Sequence, residues 1–142
     1  MVAVAKMRRI TAQEVLDAYR ETGLTPATGV WDDGIFACGL GAVAGRNGLF
    51  LGDLEPWWSV GPLRGLGMRV AAARMLRLPL LYVCGFVEGW DLVSGTSPSV
   101  TWWAWARGWT DARRALRACG FRLSPRDALR DAVDASLRTV GL

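Results

Sequence analysis

The chain contains no histidine, so its chemistry-capable side chains are carboxylates, three cysteines, arginines and tryptophans. Without an imidazole, every Ser-His or Cys-His nucleophile pair is excluded, as is the commonest general base. Cys38, Cys84 and Cys119 are odd in number and widely spaced, with no C-x-x-C pair among them. A zinc site would need a carboxylate as a further ligand, so buried free thiols in a reducing compartment and no metal are expected. Gly61-Pro62-Leu63-Arg64-Gly65-Leu66-Gly67 comes nearest to a phosphate-cradling loop but lacks the Lys-Ser/Thr pair. Asp91, Ser94 and Thr96 do not match calcium-loop spacing. No cofactor is expected and no catalytic residue is assigned.

Two carboxylate pairs remain. Glu88 and Asp91 fall one helical turn apart, and Asp32 and Asp33 are adjacent, the plainer expectation for both being turn and cap residues. The eight tryptophans among 142 residues are the unusual feature. Trp105 and Trp109 share an apolar helical face with Trp102 and are expected in the core. With Trp90 and the carboxylates Glu88, Asp91 and Asp111 they could instead line a ligand pocket. Trp103 points to the opposite, arginine-bearing side, four residues before Arg107, where a guanidinium can lie over its ring. Trp103, Arg107, Arg114 and the adjacent loop residues Trp57 and Trp58 are therefore candidate interface anchors, Trp and Arg being enriched at binding hot spots.

Charge is uneven. Residues 1–100 carry nine basic and nine acidic side chains, whereas residues 101–142 carry eight arginines against four aspartates, so the whole net charge of +4 lies there. Arg113, Arg117, Arg122, Arg126 and Arg130, together with Arg107 and Arg114, form a possible nucleic-acid footprint. The interleaved Asp111, Asp127, Asp131 and Asp134 weaken that field, and no nucleic-acid-binding motif accompanies it.

The elements that must position these residues are helical. Thr11-Ala12-Gln13-Glu14 reads as a capping box, with Ile10 and Val15 as a hydrophobic staple. Val15, Ala18, Tyr19 and Thr22 share one face, and Gly23 and Pro26 end the helix, giving helix 11–22. Residues 24–34 read as loop, with Asp32-Asp33-Gly34 as a turn signal. The run 35–45 is apolar on all sides and is either a glycine-bearing helix or a buried strand. Helices are expected over 63–77, where the arginines form no clean face, over 80–90, over 98–119 with Gly120 as terminator, and over 124–140. In 98–119 the apolar side is Trp102, Trp105, Gly108, Trp109, Ala112, Leu116 and Cys119, opposite Arg107, Arg113, Arg114 and Arg117. A short echo links Gly85-Phe86-x-x-Gly89-Trp90-Asp91 with Gly108-Trp109-Thr110-Asp111: a glycine notch beside a large ring suits close helix crossing.

The expected fold is thus an all-α, single-domain bundle of about five to six helices over residues 1–142, with residues 1–9 flexible. No signal peptide or membrane-length apolar run is visible, so a soluble cytoplasmic chain without membrane attachment is expected. The leading functional expectation is a self-associating interaction module without catalytic activity. Behind it stand a small-molecule binder or enzyme with a Trp-lined pocket, and then a nucleic-acid binder.

Overall fold

The computed structural model describes residues 8–53, 64–91 and 102–121. Trp57, Trp58, Arg122, Arg126, Arg130 and the helix expected over 124–140 lie outside the described residues. The first helix, α1 (Ala12–Thr22), starts where the Thr11 hydroxyl accepts the Glu14 N–H at 3.0 Å. The Glu14 carboxylate, expected to close the capping box, instead pairs with Arg8 at 2.9 Å. Ile10 and Val15 are both buried, as a staple requires. Gly23 adopts φ 74°, and its N–H caps the Tyr19 carbonyl; that left-handed backbone costs a glycine nothing.

The apolar run 35–45 is divided between the two alternatives its sequence leaves open. Phe36–Ala37 (β2) pairs in parallel with Thr25–Pro26 (β1), in register Thr25 to Phe36 and Pro26 to Ala37. The chain then enters α2 (Gly39–Arg46), where the Cys38 thiol accepts the Gly41 N–H at 3.4 Å. A 3-10 turn covers Leu51–Asp53.

The remaining described helices are α3 (Arg64–Leu76), α4 (Leu80–Trp90) and α5 (Trp102–Ala118). On α3, Met68, Ala71, Ala72 and Leu76 are buried, and Arg69 reaches Glu88 of α4 at 3.6 Å. Arg69 thus faces α4, whereas Arg74 and Arg77 are exposed. Arg77 takes φ 55° where α3 ends, and Pro79 follows.

With five α-helices and one two-stranded sheet among the described residues, the fold is all-α in character. Helices α4 and α5 form its most extensive contact; α1 packs on α2 and α5, and α3 on α4. Trp90, fully buried, is the hub of the core: its ring lies 6.3 Å from Tyr19, 6.1 Å from Phe86 and 6.4 Å from Phe121. Its indole N–H donates to the Ala27 carbonyl at 2.7 Å, tying the β1 loop to α4. Among the described residues no single helix is long and apolar enough to cross a membrane.

Candidate functional site

The tryptophan and carboxylate candidates are structural partners in separate sets, and of them Trp90 and Asp91 line a common cavity. Trp105 and Trp109 stack at 5.1 Å and are buried. The Trp105 indole N–H donates to Glu88, which also faces Arg69. Asp111 accepts two hydrogen bonds from Arg9, at 2.8 and 2.9 Å, and a third from the Tyr82 hydroxyl at 2.6 Å. The same Tyr82 oxygen accepts the Ile10 N–H at 2.8 Å. Burial, then the neighbouring Asp111, pushes the Tyr82 phenol far above its ordinary range. This network fastens the segment entering α1 to α4 and α5.

Asp91 accepts the Gly29 N–H at 2.8 Å, and burial raises its pKa. It lines a cavity of about 50 Å³ with Trp31, Cys38, Phe86 and Trp90. That space suits one or two waters, well short of the several hundred Å³ of an ordinary ligand pocket. Burial pushes the Cys38 thiol up to about 12. All three cysteines are free.

The arginine-side candidates divide. Trp103 is partly exposed with the Arg107 guanidinium 4.9 Å from its ring centre, as the four-residue spacing implies. Arg114 is half-buried and Arg117 exposed. Arg113, expected on the solvent side, is instead buried, with its guanidinium 4.4 Å from the Trp109 ring centre. The reason is that α5 is covered by both α4 and α1, so its buried arc is wider than a single apolar stripe.

Among the described residues, the most exposed large apolar side chains lie elsewhere. Ile35 is 65% exposed, Phe36 44% and Phe50 42%. The turn before them is tightly held: Asp33 accepts the Ile35 N–H at 2.9 Å and the Phe36 N–H at 2.7 Å through one oxygen. The Asp33 N–H closes the turn onto the Phe36 carbonyl at 3.0 Å, and the Thr25 N–H holds the Ile35 carbonyl at 2.8 Å. Those amides lower the Asp33 pKa. Phe50 lines the same open groove as Gly34, the residue that precedes Ile35. Apolar content alone could not single out Ile35 and Phe36, since every neighbour in their run is apolar too. The usable signal was the Asp32-Asp33-Gly34 turn immediately before them. No family model, curated protein or solved structure matches the chain, so the reading of this surface rests on its geometry.

Proposed function

We propose that this chain is an interaction and assembly module that associates with further copies of itself through the tip formed by Ile35 and Phe36, with Phe50 beside it. The observation that carries the reading is two large apolar side chains facing solvent on a turn held by four hydrogen bonds. A turn already ordered before contact loses little conformational freedom on binding, which favours affinity over the same side chains on a loose loop. A surface that meets its own copy about a two-fold axis needs only self-complementarity, which an apolar patch supplies readily. The partly exposed Trp103–Arg107 stack is a second place where such contact gains from aromatic and guanidinium anchors. The nucleic-acid reading is not favoured here, because Arg113 is withdrawn from its footprint.

Native mass spectrometry and sedimentation velocity test the proposal. The expected result is a whole multiple of 15.5 kDa, shifted toward the single-chain mass by Ile35→Asp with the helical circular dichroism unchanged. A 15.5 kDa species at every concentration overturns it.

A further inference from the structure

Helices α1 and α2 end side by side at an open groove of about 480 Å³. Leu24, Leu49 and Phe50 give it apolar walls, and Glu21 and Arg46 stand at its edge. Those two charges satisfy each other, Arg46 Nε lying 2.6 Å from Glu21 Oε2. The remaining charged group in the lining is Asp32, which is only 4% exposed. Its Oδ1 accepts the Gly34 N–H at 2.9 Å. Among the described residues its Oδ2 receives no hydrogen bond and no ion pair. That oxygen faces Gly45 across the groove lining, where a Cβ would stand 3.9 Å away.

Oδ2 keeps a small opening onto the groove, and burial of the carboxyl together with Asp33 raises the Asp32 pKa. The groove also receives the C-terminal ends of both helices, whose carbonyl dipoles add partial negative charge. Every one of these contributions favours a cation. A metal ion is poorly served, since no group of three or more metal-ligating side chains occurs among the described residues.

We propose that this groove binds a small organic ammonium, with its nitrogen donating to Asp32 Oδ2 and its apolar body lying against Leu24, Leu49 and Phe50. An anion meets repulsion there, and a neutral analogue gives up the charge-assisted hydrogen bond. The site does not depend on self-association, although Phe50 belongs to both surfaces.

The test is an amide-resolved NMR titration at neutral pH with 2-phenylethylamine, 2-phenylethanol and phenylacetate. The amine is expected to saturate, moving amides in segments 21–24, 32–34 and 45–50. The alcohol should bind about tenfold more weakly or worse, and phenylacetate not at all. Asp32→Asn should weaken the amine by about tenfold or more, while its amide oxygen keeps the Gly34 hydrogen bond. Gly45→Ala is the second variant: its methyl meets nothing closer than 3.4 Å, so the fold holds while space before Oδ2 is lost. It should weaken the amine as well. Repeating the titration on Ile35→Asp separates the groove from assembly. Equal binding of amine and alcohol, an affinity indifferent to both groove variants, or no saturable amine binding would each overturn the proposal.

Discussion

Gly85 of α4 lies so close beneath Trp105 of α5 that a Cβ at position 85 would stand 1.9 Å from the Trp105 carbonyl oxygen. The notch is reciprocal. A Cβ on Gly108 of α5 would meet the Tyr82 carbonyl oxygen of α4 at 2.1 Å, and one on Gly89 would meet that of Trp109 at 2.8 Å. The two helices therefore approach backbone to backbone.

Gly85→Ala is accordingly expected to destabilise the fold by about 3 kcal/mol, because the atom it meets is backbone and cannot swing aside. The gain in helix propensity, about 1 kcal/mol, offsets only part of the overpacking. Gly108→Ala should behave alike and Gly89→Ala more mildly, following the three distances. Urea denaturation of the three variants checks that order. A Gly85→Ala protein as stable as the parent would mean the helices can separate at no cost.

Tyr82 supports a second prediction. Tyr82→Phe leaves the Ile10 N–H buried without its acceptor and removes a donor from Asp111, at a cost of about 2–3 kcal/mol. The pH dependence has a definite sign. Burial and Asp111 raise the folded phenol above its ordinary 10.0, so above that pH the unfolded chain loses a proton the native chain retains. The Tyr82 contribution is thus complete below pH 10.0 and is lost as pH climbs beyond it. Tyr19, raised mainly by burial, acts in the same direction, so Tyr82→Phe should flatten the alkaline decline without abolishing it. Denaturation midpoints measured across that range give the slope.

Local signals were legible in the sequence and multi-element packing was not. Thr11, Gly23, Pro79 and Gly120 mark helix ends through chemistry confined to a turn, and α1, α4 and α5 run close to where those residues place them. The glycine–aromatic echo between α4 and α5 was readable as a close crossing for the same local reason. The exposure of Ile35 and Phe36 was not, because a uniformly apolar run carries no period to say which side chains face out. The burial of Arg113 escaped a helical wheel that assumes one covered face, whereas two helices cover α5. Asp32 read as an ordinary turn residue because its burial comes from the ends of α1 and α2, brought together only by the fold. Glu88, Asp91 and Asp111 were recognisable as polar groups beside tryptophans. Their engagement with Trp105, Gly29, Arg9 and Tyr82 depends on residues as far as 102 positions away in the chain.

The cysteines should differ sharply in reactivity. The thiolate is the reactive form, and Cys38 is both buried and held up to about 12. Cys84 and Cys119 are only partly buried. A maleimide added to the native protein at mildly alkaline pH should label Cys38 at least about tenfold more slowly than Cys84. Peptide mapping after timed quenching reads the rates, and in denaturant the three should converge. Early labelling of Cys38 in the native state would mean that the α2 cap opens readily.

The Asp33 turn links stability to the proposed assembly. Its carboxylate is stabilised by the Phe36 and Ile35 amides, which hold its pKa below the ordinary 3.8. The unfolded turn therefore takes up a proton more readily than the folded one. The contribution is complete above pH 3.8 and is lost as pH falls through the lowered value. Amide shifts of Ile35 and Phe36 should titrate with a midpoint below 3.8, and Asp33→Asn, which keeps an acceptor oxygen without the charge, should abolish that titration. Asp33→Ala removes both hydrogen bonds and frees the tip. It should weaken self-association by more than it lowers the melting temperature of the single chain, because the turn is exposed and orders mainly Ile35 and Phe36. Sedimentation equilibrium alongside thermal melts measures both quantities on one sample. A variant that associates as tightly as the parent while its Ile35 and Phe36 amides exchange freely would show that ordering of the tip adds nothing to assembly.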